Sequence, residues 1–486
     1  MQFELIVGLE IHAELLTASK MFCGCPVLDS TRAQPNTAVC PVCAGLPGVL
    51  PVANHQAVEY GLRVALALEC EIARTSLFAR KNYFYPDLPK GYQITQYEFP
   101  LAQHGRLAIP TPQGERIIHI RRVHLEEDTG KLTHIHKENE DYSLVDLNRA
   151  GVPLLEIVSE PDMRSIEEVR SYAENVRSIL RYLGVNSGDM EKGVIRFEAN
   201  VSIRPVDSPT LGTRVEIKNL NSFRALERSV AYEFERQQAA ILHGERVEQE
   251  TLGWDVLNES TYPQRSKEEA HDYRYFPEPD LPPLVIDQAW IERVASAQPE
   301  LPRQKTGRIQ QQYGLSESDA RVLVEDCLVA DYFEAVVQAA GGADPQVAAN
   351  WIMGELFGWM RQSGEGIQQL KVPPAELAAL LEITRRGAVN QNTAKTILAG
   401  MLKTGKPAAE IIAAEGFQQI SDQTRIAEIV RQVLQDNPPE VASYLAGKET
   451  LANWFFGQVM RVASGQADPR VVRTELDHQL VLLRKT

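Results

Sequence analysis

The 486-residue chain predicts an α+β protein, with a first part built on an antiparallel sheet and an all-helical remainder. Three observations predict it. Leu5 to Glu14 and Ile195 to Arg204 alternate apolar and polar side chains, and Val215 to Asn219 repeats the alternation. Helix-spaced apolar residues separate and follow these strands, at 53–71, 165–183 and 221–240. Beyond about Trp290 the alternation stops, and Ala/Leu/Gln/Glu helical periodicity takes over, broken at Gly341-Gly342, Lys403-Thr404-Gly405 and Asn437-Pro438-Pro439. The expected domains are 1–290, a helical domain at 291–405 and a small helical tail at 406–486.

Composition bounds the function. An apolar fraction of 44% and a charged fraction of 24% are those of a globular chain with a sizeable core. No apolar run approaches the roughly 18 residues needed to cross a membrane. Glu4, Glu10 and Glu14 interrupt the stretch where a signal peptide would be apolar, so the expected location is the cytoplasm. The net charge of −15 argues against binding nucleic acid by bulk charge. The tail from Lys406 to Thr486 carries 9 Lys+Arg against 10 Asp+Glu, or −1, so it repels RNA least.

The first strand puts Leu5, Val7, Leu9, Ile11 and Ala13 on one face. Gly8, Glu10, His12 and Glu14 lie on the other. A carboxylate and an imidazole pointing the same way beside a glycine suit a hard cation or a metal–phosphate complex; the plainer alternative is a wet strand face. Cys23-x-Cys25 and Cys40-x-x-Cys43 then suit tetrahedral Zn²⁺, the alternative being four free thiols. Four thiolates leave no open position for water, so the zinc is expected to be structural. Cytosolic redox poise disfavours disulfides, and Cys70 and Cys327 read as small buried apolar residues.

Next, Arg80 to Tyr92 mixes cations, aromatics and turn residues, where Arg80 or Lys81 can neutralise phosphate and a tyrosine can stack on a base or ribose; the plainer alternative is a surface loop pinned by its aromatics. Glu126, Glu127 and Asp128 precede a turn; three consecutive acids point to a nearby cation or to a solvated turn. Gly130-Lys131 is not a P-loop, because Leu125 and Leu132 stand where that motif needs Gly and Ser/Thr. An apolar strand containing Glu156 follows, then a helix for which Ser165 is the N-cap and Glu168 completes a capping box. Laid side by side, the alternating strands form a platform whose open face holds Glu10, His12, Glu198, Asn200, Glu216 and Lys218, a set suited to Mg²⁺ and phosphates.

Several stretches are more specific: GLEIHAEL from Gly8, CPVCAGLPGVLPV from Cys40, RKNYFYPDLPKGYQITQ from Arg80, HLEEDTGK from His124, SLVDLNRAGVPLLEIVSEPD from Ser143, VEIKNLNSF from Val215 and RSKEEAHDYRYFPEPDL from Arg265. Together they resemble the B-subunit family of the tRNA-dependent amidotransferases, which make Gln-tRNA(Gln) and Asn-tRNA(Asn) from misacylated precursors. The tail resembles it more loosely, through NWIMGEL from Asn350 and GQADP from Gly465. The resemblance implies a glutamine-synthetase-like cradle sheet, a helical domain and a tail that meets tRNA. It implies ATP-dependent phosphorylation of the Glu or Asp side chain on the tRNA. Ammonia from an amidase partner, the A subunit, then displaces phosphate, and a small third partner, the C subunit, bridges the two.

Carried over by position, Glu10, His12 and Glu127 become Mg²⁺ ligands and Lys81 lies near phosphate. Glu198, Glu216 and Lys218 line the same catalytic platform. Arg80, Glu126, Asn200, Lys267 and Arg274 become ATP contacts. Where the family usually reads Cys-Asp, this chain has Phe197-Glu198, so the acid is kept with one more methylene. Two rival readings use the same residues. One is a small-molecule ligase whose ATP turnover needs no tRNA; the other is a non-catalytic tRNA-binding scaffold.

Overall fold

The computed structural model describes residues 2–485 apart from 30, 138–139, 207, 266–271, 342–343, 416–422 and 464–466. The chain forms two compact units, Met1–Pro302 and Arg303–Thr486. The first therefore runs past Trp290. The helix Gln288–Ser296 belongs to it, and Trp290 stacks on His55 with ring centroids 4.7 Å apart.

Eight strands and three helices of the first unit position the site. They are β1 (Phe3–Glu14), β2 (Ala79–Asn82), β3 (Tyr92–Thr95), β4 (Gly114–Glu127), β5 (Pro153–Ser159), β6 (Ile195–Pro205), β7 (Val215–Leu220) and β8 (Thr251–Asp255), with helices α1 (His55–Ala67), α2 (Ile166–Tyr182) and α3 (Phe223–Leu242). The main sheet has nine strands, with β8-β7-β6-β1-β5-β4 at its centre. Ser260–Arg265 flanks β8, and Ala102–Thr111 then Glu71–Ile72 flank β4. All pairs are antiparallel except β7 with β8, which run parallel.

The alternation read from the sequence decides which face is which. Leu9, Ile11, Phe197, Ala199 and Val201 are fully buried, in one core with Leu62 and Val64 of α1, Tyr172 and Val176 of α2, and Leu226 and Val230 of α3. Ser165 and Ser222 cap α2 and α3, accepting from Glu168 N and Ala225 N. The expected capping box at Ser165 does not close: Glu168 Oε2 accepts from Arg164 N, at 2.7 Å, instead of from the Ser165 amide. Register fixes the opposite face. His12 pairs with Glu156 and Arg196, Glu156 with His124, and Glu10 with Glu198. Cross-strand neighbours share a face, so these side chains come together.

The second unit is helical. Its C-terminal part has its own core, in which Ile426, Val430, Phe455, Val459, Val472 and Leu476 are buried. Phe455 is thus a core residue, while Trp454 is 37% exposed. Among the described residues no helix is long and apolar enough to cross a membrane.

Candidate active site

The polar face of the sheet floors a cavity of about 590 Å³, with Lys81 and Tyr273 among the residues lining it. Two groups of metal-capable atoms lie on that floor, each with its donor atoms within 4.8 Å of one another: His12 with Glu126 and Glu156, and Glu10 with Glu198 and Glu216. His12 Nε2 lies 3.4 Å from Glu156 Oε2 and 3.7 Å from Glu126 Oε1, and its Nδ1 lies 4.0 Å from Glu198 Oε1. His124 Nε2 approaches Glu156 Oε2 to 3.1 Å.

The electrostatics show a floor short of positive charge. Burial alone would depress His12, but its hydrogen bond with Glu156 and the charges of Glu156, Glu198 and Glu126 push it up to about 9. Burial, then repulsion from Glu156, Glu198 and Glu216, holds the Glu10 carboxyl above its ordinary range. Burial would also raise Glu198, but Lys218 and His12 hold it low. Lys218 Nζ donates to Glu198 Oε2 at 2.8 Å and lies 3.3 Å from Glu216 Oε1. The β6–β7 pairing is bulged beside Lys218, where Asn219 takes φ +59. Neutral groups orient the acids: Asn200 donates to Glu10 at 2.9 Å, Thr251 to Glu216 at 3.0 Å and Thr95 to Glu126 at 3.0 Å. Clustered carboxylate oxygens that repel one another fit a hard divalent cation, and two groups give room for more than one.

Lys81 projects into the cavity from β2, with Nζ 4.9 Å from the Tyr273 ring centroid. Burial opposes its charge, but Glu126 leads the groups that raise it above its ordinary value. At the far end Arg196 and Arg149 flank Asp128, at 3.1 and 3.6 Å.

Of the residues expected at the site, Glu10, His12, Lys81, Glu126, Glu198, Glu216 and Lys218 line this cavity, and Asn200 touches it through Glu10. Glu127 does not join Glu10 and His12. Strand β4 runs through Glu127, so Glu126 faces the cavity and Glu127 faces away, where its Oε1 accepts from Lys90 Nζ and, at 2.9 Å, from Ile94 N. Arg80 likewise alternates away from Lys81. It forms a two-bonded pair with Glu278, at 2.7 and 2.8 Å, and its guanidinium lies 4.2 Å from the Tyr92 ring centroid. Arg274 is exposed beside Asp272, 3.6 Å away, and does not line the cavity. Lys267 lies outside the described residues. Sequence reading missed Glu156, His124, Arg122, Arg149, Arg196 and Arg214 as cavity residues.

Phe197, where the family usually has Cys, points into the core and packs on Phe223 of α3 at 5.8 Å, while Glu198 faces the cavity. The departure therefore changes core packing and acid reach separately.

The four cysteines converge. Cys43 Sγ lies 4.0 Å from Cys25 Sγ and 3.9 Å from Cys40 Sγ, and all four sulfurs are within 4.8 Å of one another. Tetrahedral Zn–S bonds of about 2.3 Å imply S···S edges of about 3.8 Å, so the set fits zinc with little movement. A hydrogen bond from Cys23, then one from the Cys40 backbone and the charge of Lys20, outweigh burial and hold the Cys43 thiol down at about 4. Gly45, at φ +69, leaves no room for a Cβ, which would meet Lys90 N at 2.9 Å.

A family model described as GatB/GatE catalytic domain matches residues 5–292, and one described as GatB domain matches residues 331–480. The chain is 50% identical over 474 residues to a Thermodesulfovibrio yellowstonii protein named as the B subunit of aspartyl/glutamyl-tRNA(Asn/Gln) amidotransferase, covering 97% of this chain and 98% of that one. Proteins of the same name from Moorella thermoacetica and Myxococcus xanthus are 51% and 50% identical over 480 and 478 residues. Those matches cover 99% and 98% of this chain and 100% and 98% of theirs. With both halves matched and whole-length relatives at this identity, the chain belongs to the GatB/GatE family.

Proposed function

We propose that this chain is the carboxylate-activating subunit of a tRNA-dependent amidotransferase. In this reading the side-chain carboxylate of Glu on tRNA(Gln), or Asp on tRNA(Asn), enters the cavity and attacks the γ-phosphorus of ATP. ADP leaves and an acyl phosphate forms. Ammonia, released from glutamine by the amidase partner and delivered with the help of the small third partner, attacks the acyl carbon; phosphate leaves and the nitrogen loses a proton. The setting for such chemistry is the cytoplasm, where translation runs.

The observation that supports this best is the arrangement of the cavity floor. Two acidic groups lie side by side there, flanked by Lys81 and Lys218. A carboxylate is a poor electrophile until it carries a leaving group. Phosphoryl transfer asks of the protein mainly positioning and charge neutralisation. Mg²⁺ held by Glu10, Glu198 and Glu216, or by His12, Glu126 and Glu156, would supply charge neutralisation on the triphosphate. The residues themselves do the rest. Lys218 holds Glu198 and Glu216 together, Asn200 and the two threonines fix the carboxylate orientations, and Lys81 offers a half-buried cation to the transferring phosphoryl group. The four cysteines hold a structural Zn²⁺, away from the chemistry. The tail supplies tRNA contact.

Phosphate release separates the readings. With ATP, Mg²⁺ and the amidase partner present, release should rise only with a misacylated tRNA. Release without tRNA favours the small-molecule ligase, and tRNA binding without release favours the scaffold. Lys81→Met should lower kcat about a hundredfold, the effect of removing one electrostatic contact to developing charge, with tRNA affinity unchanged. Wild-type turnover in this variant would remove Lys81 from the site.

A further inference from the structure

Lys20 is among the largest fully buried side chains of the chain, an unusual place for a lysine. An ammonium has three donors and no acceptor. Here all three find partners: Ala38 O at 2.8 Å, Leu147 O at 3.1 Å and Cys43 Sγ at 3.5 Å. Two of these are neutral carbonyls. Among the described residues no carboxylate lies within ion-pairing distance of Nζ, and Cys43 Sγ is the one contact able to carry negative charge. A buried ammonium without a counter-charge is strongly unfavourable. Glu127 Oε2 approaches the same region, 3.9 Å from where a Gly151 Cβ would lie, but its charge is taken by Lys90, so the counter-charge in contact with Nζ comes from the sulfur side.

The four-cysteine centre has the opposite need. Zn²⁺ with four thiolates carries two excess negative charges, and of the cations near Cys43, Lys20 touches its sulfur while Lys90, packed against Gly45, is paired with Glu127. Gly151, at φ +86, brings its backbone against the same spot: a Cβ there would lie 3.5 Å from both Cys43 Cβ and Lys20 Cδ. The knuckle thus closes on Lys20 from one side, and the Leu147–Gly151 turn closes on it from the other.

We propose that Lys20 is a positioning residue for the metal centre: it balances the thiolate charge through an N–H···S bond to Cys43 and ties the knuckle to Leu147, two residues before the cavity residue Arg149. The proposal rests on reading the four cysteines as a zinc centre. The bond withdraws electron density from the sulfur, so it makes the bound thiolate less prone to protonation and alkylation. Partners of metal ligands in other proteins typically change metal affinity 10- to 100-fold when removed.

The test uses the full-length chain in its complex, purified under reducing conditions, with Lys20→Met and Lys20→Gln. The second variant keeps a donor while removing the charge. Zinc transfer to a colorimetric chelator and alkylation of the knuckle cysteines by iodoacetamide should each become about tenfold faster or more in both variants, with Cys327 alkylation as the internal reference. In the cobalt-substituted protein, the sulfur-to-cobalt charge-transfer band should move to longer wavelength in Lys20→Met, a change that general loosening would not produce. A metal-loaded parent whose variants match it in all three readouts overturns the assignment of Lys20 alone. A parent without stoichiometric zinc overturns the zinc reading, and the assignment with it.

Discussion

Glu156→Gln should slow phosphate release driven by misacylated tRNA by about a thousandfold, the upper end for loss of one preorganised electrostatic group, while tRNA binding and thermal midpoint stay near those of the parent. Glu156 joins His12 and Glu126 in one of the two metal-capable groups, and its Oε2 lies 3.1 Å from His124 Nε2. Burial works against its charge, but His124 and His12 hold it well below the usual carboxylate range. Glutamine keeps the shape and offers one neutral oxygen in place of a charged pair. The fold should tolerate this because glutamine still offers a hydrogen-bonding oxygen to His12 and His124, and Arg122, 4.0 Å from Glu156 Oε1, stays 27% exposed to solvent. Turnover within threefold of the parent would place the metal elsewhere. Loss of the fold would show that Glu156 is structural.

Glu127→Gln should do the reverse. Its carboxylate accepts from Lys90 Nζ and Ile94 N, on the side of β4 away from the cavity. Removing Glu127 leaves the mostly buried Lys90 ammonium without its partner. Breaking such a pair costs about 3–5 kcal/mol; with Lys90 still 12% exposed, the low end, about 3 kcal/mol, is expected. The urea midpoint should fall accordingly, while kcat measured on the folded enzyme stays within about tenfold. A collapse of kcat at unchanged stability would return Glu127 to the metal site.

How far the sequence discloses the site differs from strand to strand. On β1, β6 and β7 the alternation is clean, so the strand pattern alone gives the phase of Glu10, His12, Glu198, Asn200, Glu216 and Lys218. On β4 the strand continues through Glu127, whereas the acids at 126–128 look like the start of a turn, so the sequence leaves the phase of Glu127 open. Val123, His124, Leu125 and Glu126 do alternate, and that signal suffices to assign His124 and Glu126 inward. Every residue of β5 is buried, so Glu156 stands in an otherwise apolar stretch from Pro153 to Val158 with no alternation to mark its face. Strand β2 has four residues, too few to tell Arg80 from Lys81. Arg196 shares the clean alternation of β6 with Glu198, so its side is legible, whereas Arg149 lies outside the strands and meets Asp128 only through tertiary placement.

The central claim is that the carboxylate on the tRNA becomes the phosphorylated group. It is tested most directly by charging tRNA with glutamate, or aspartate, carrying ¹⁸O in the side-chain carboxylate, and supplying ATP, Mg²⁺ and glutamine to the complete complex. Formation and displacement of an acyl phosphate predicts one ¹⁸O in each phosphate released, matched by one amide formed. Unlabelled phosphate accompanying amide formation would contradict the account, because the carboxylate oxygen would then never have been bonded to phosphorus.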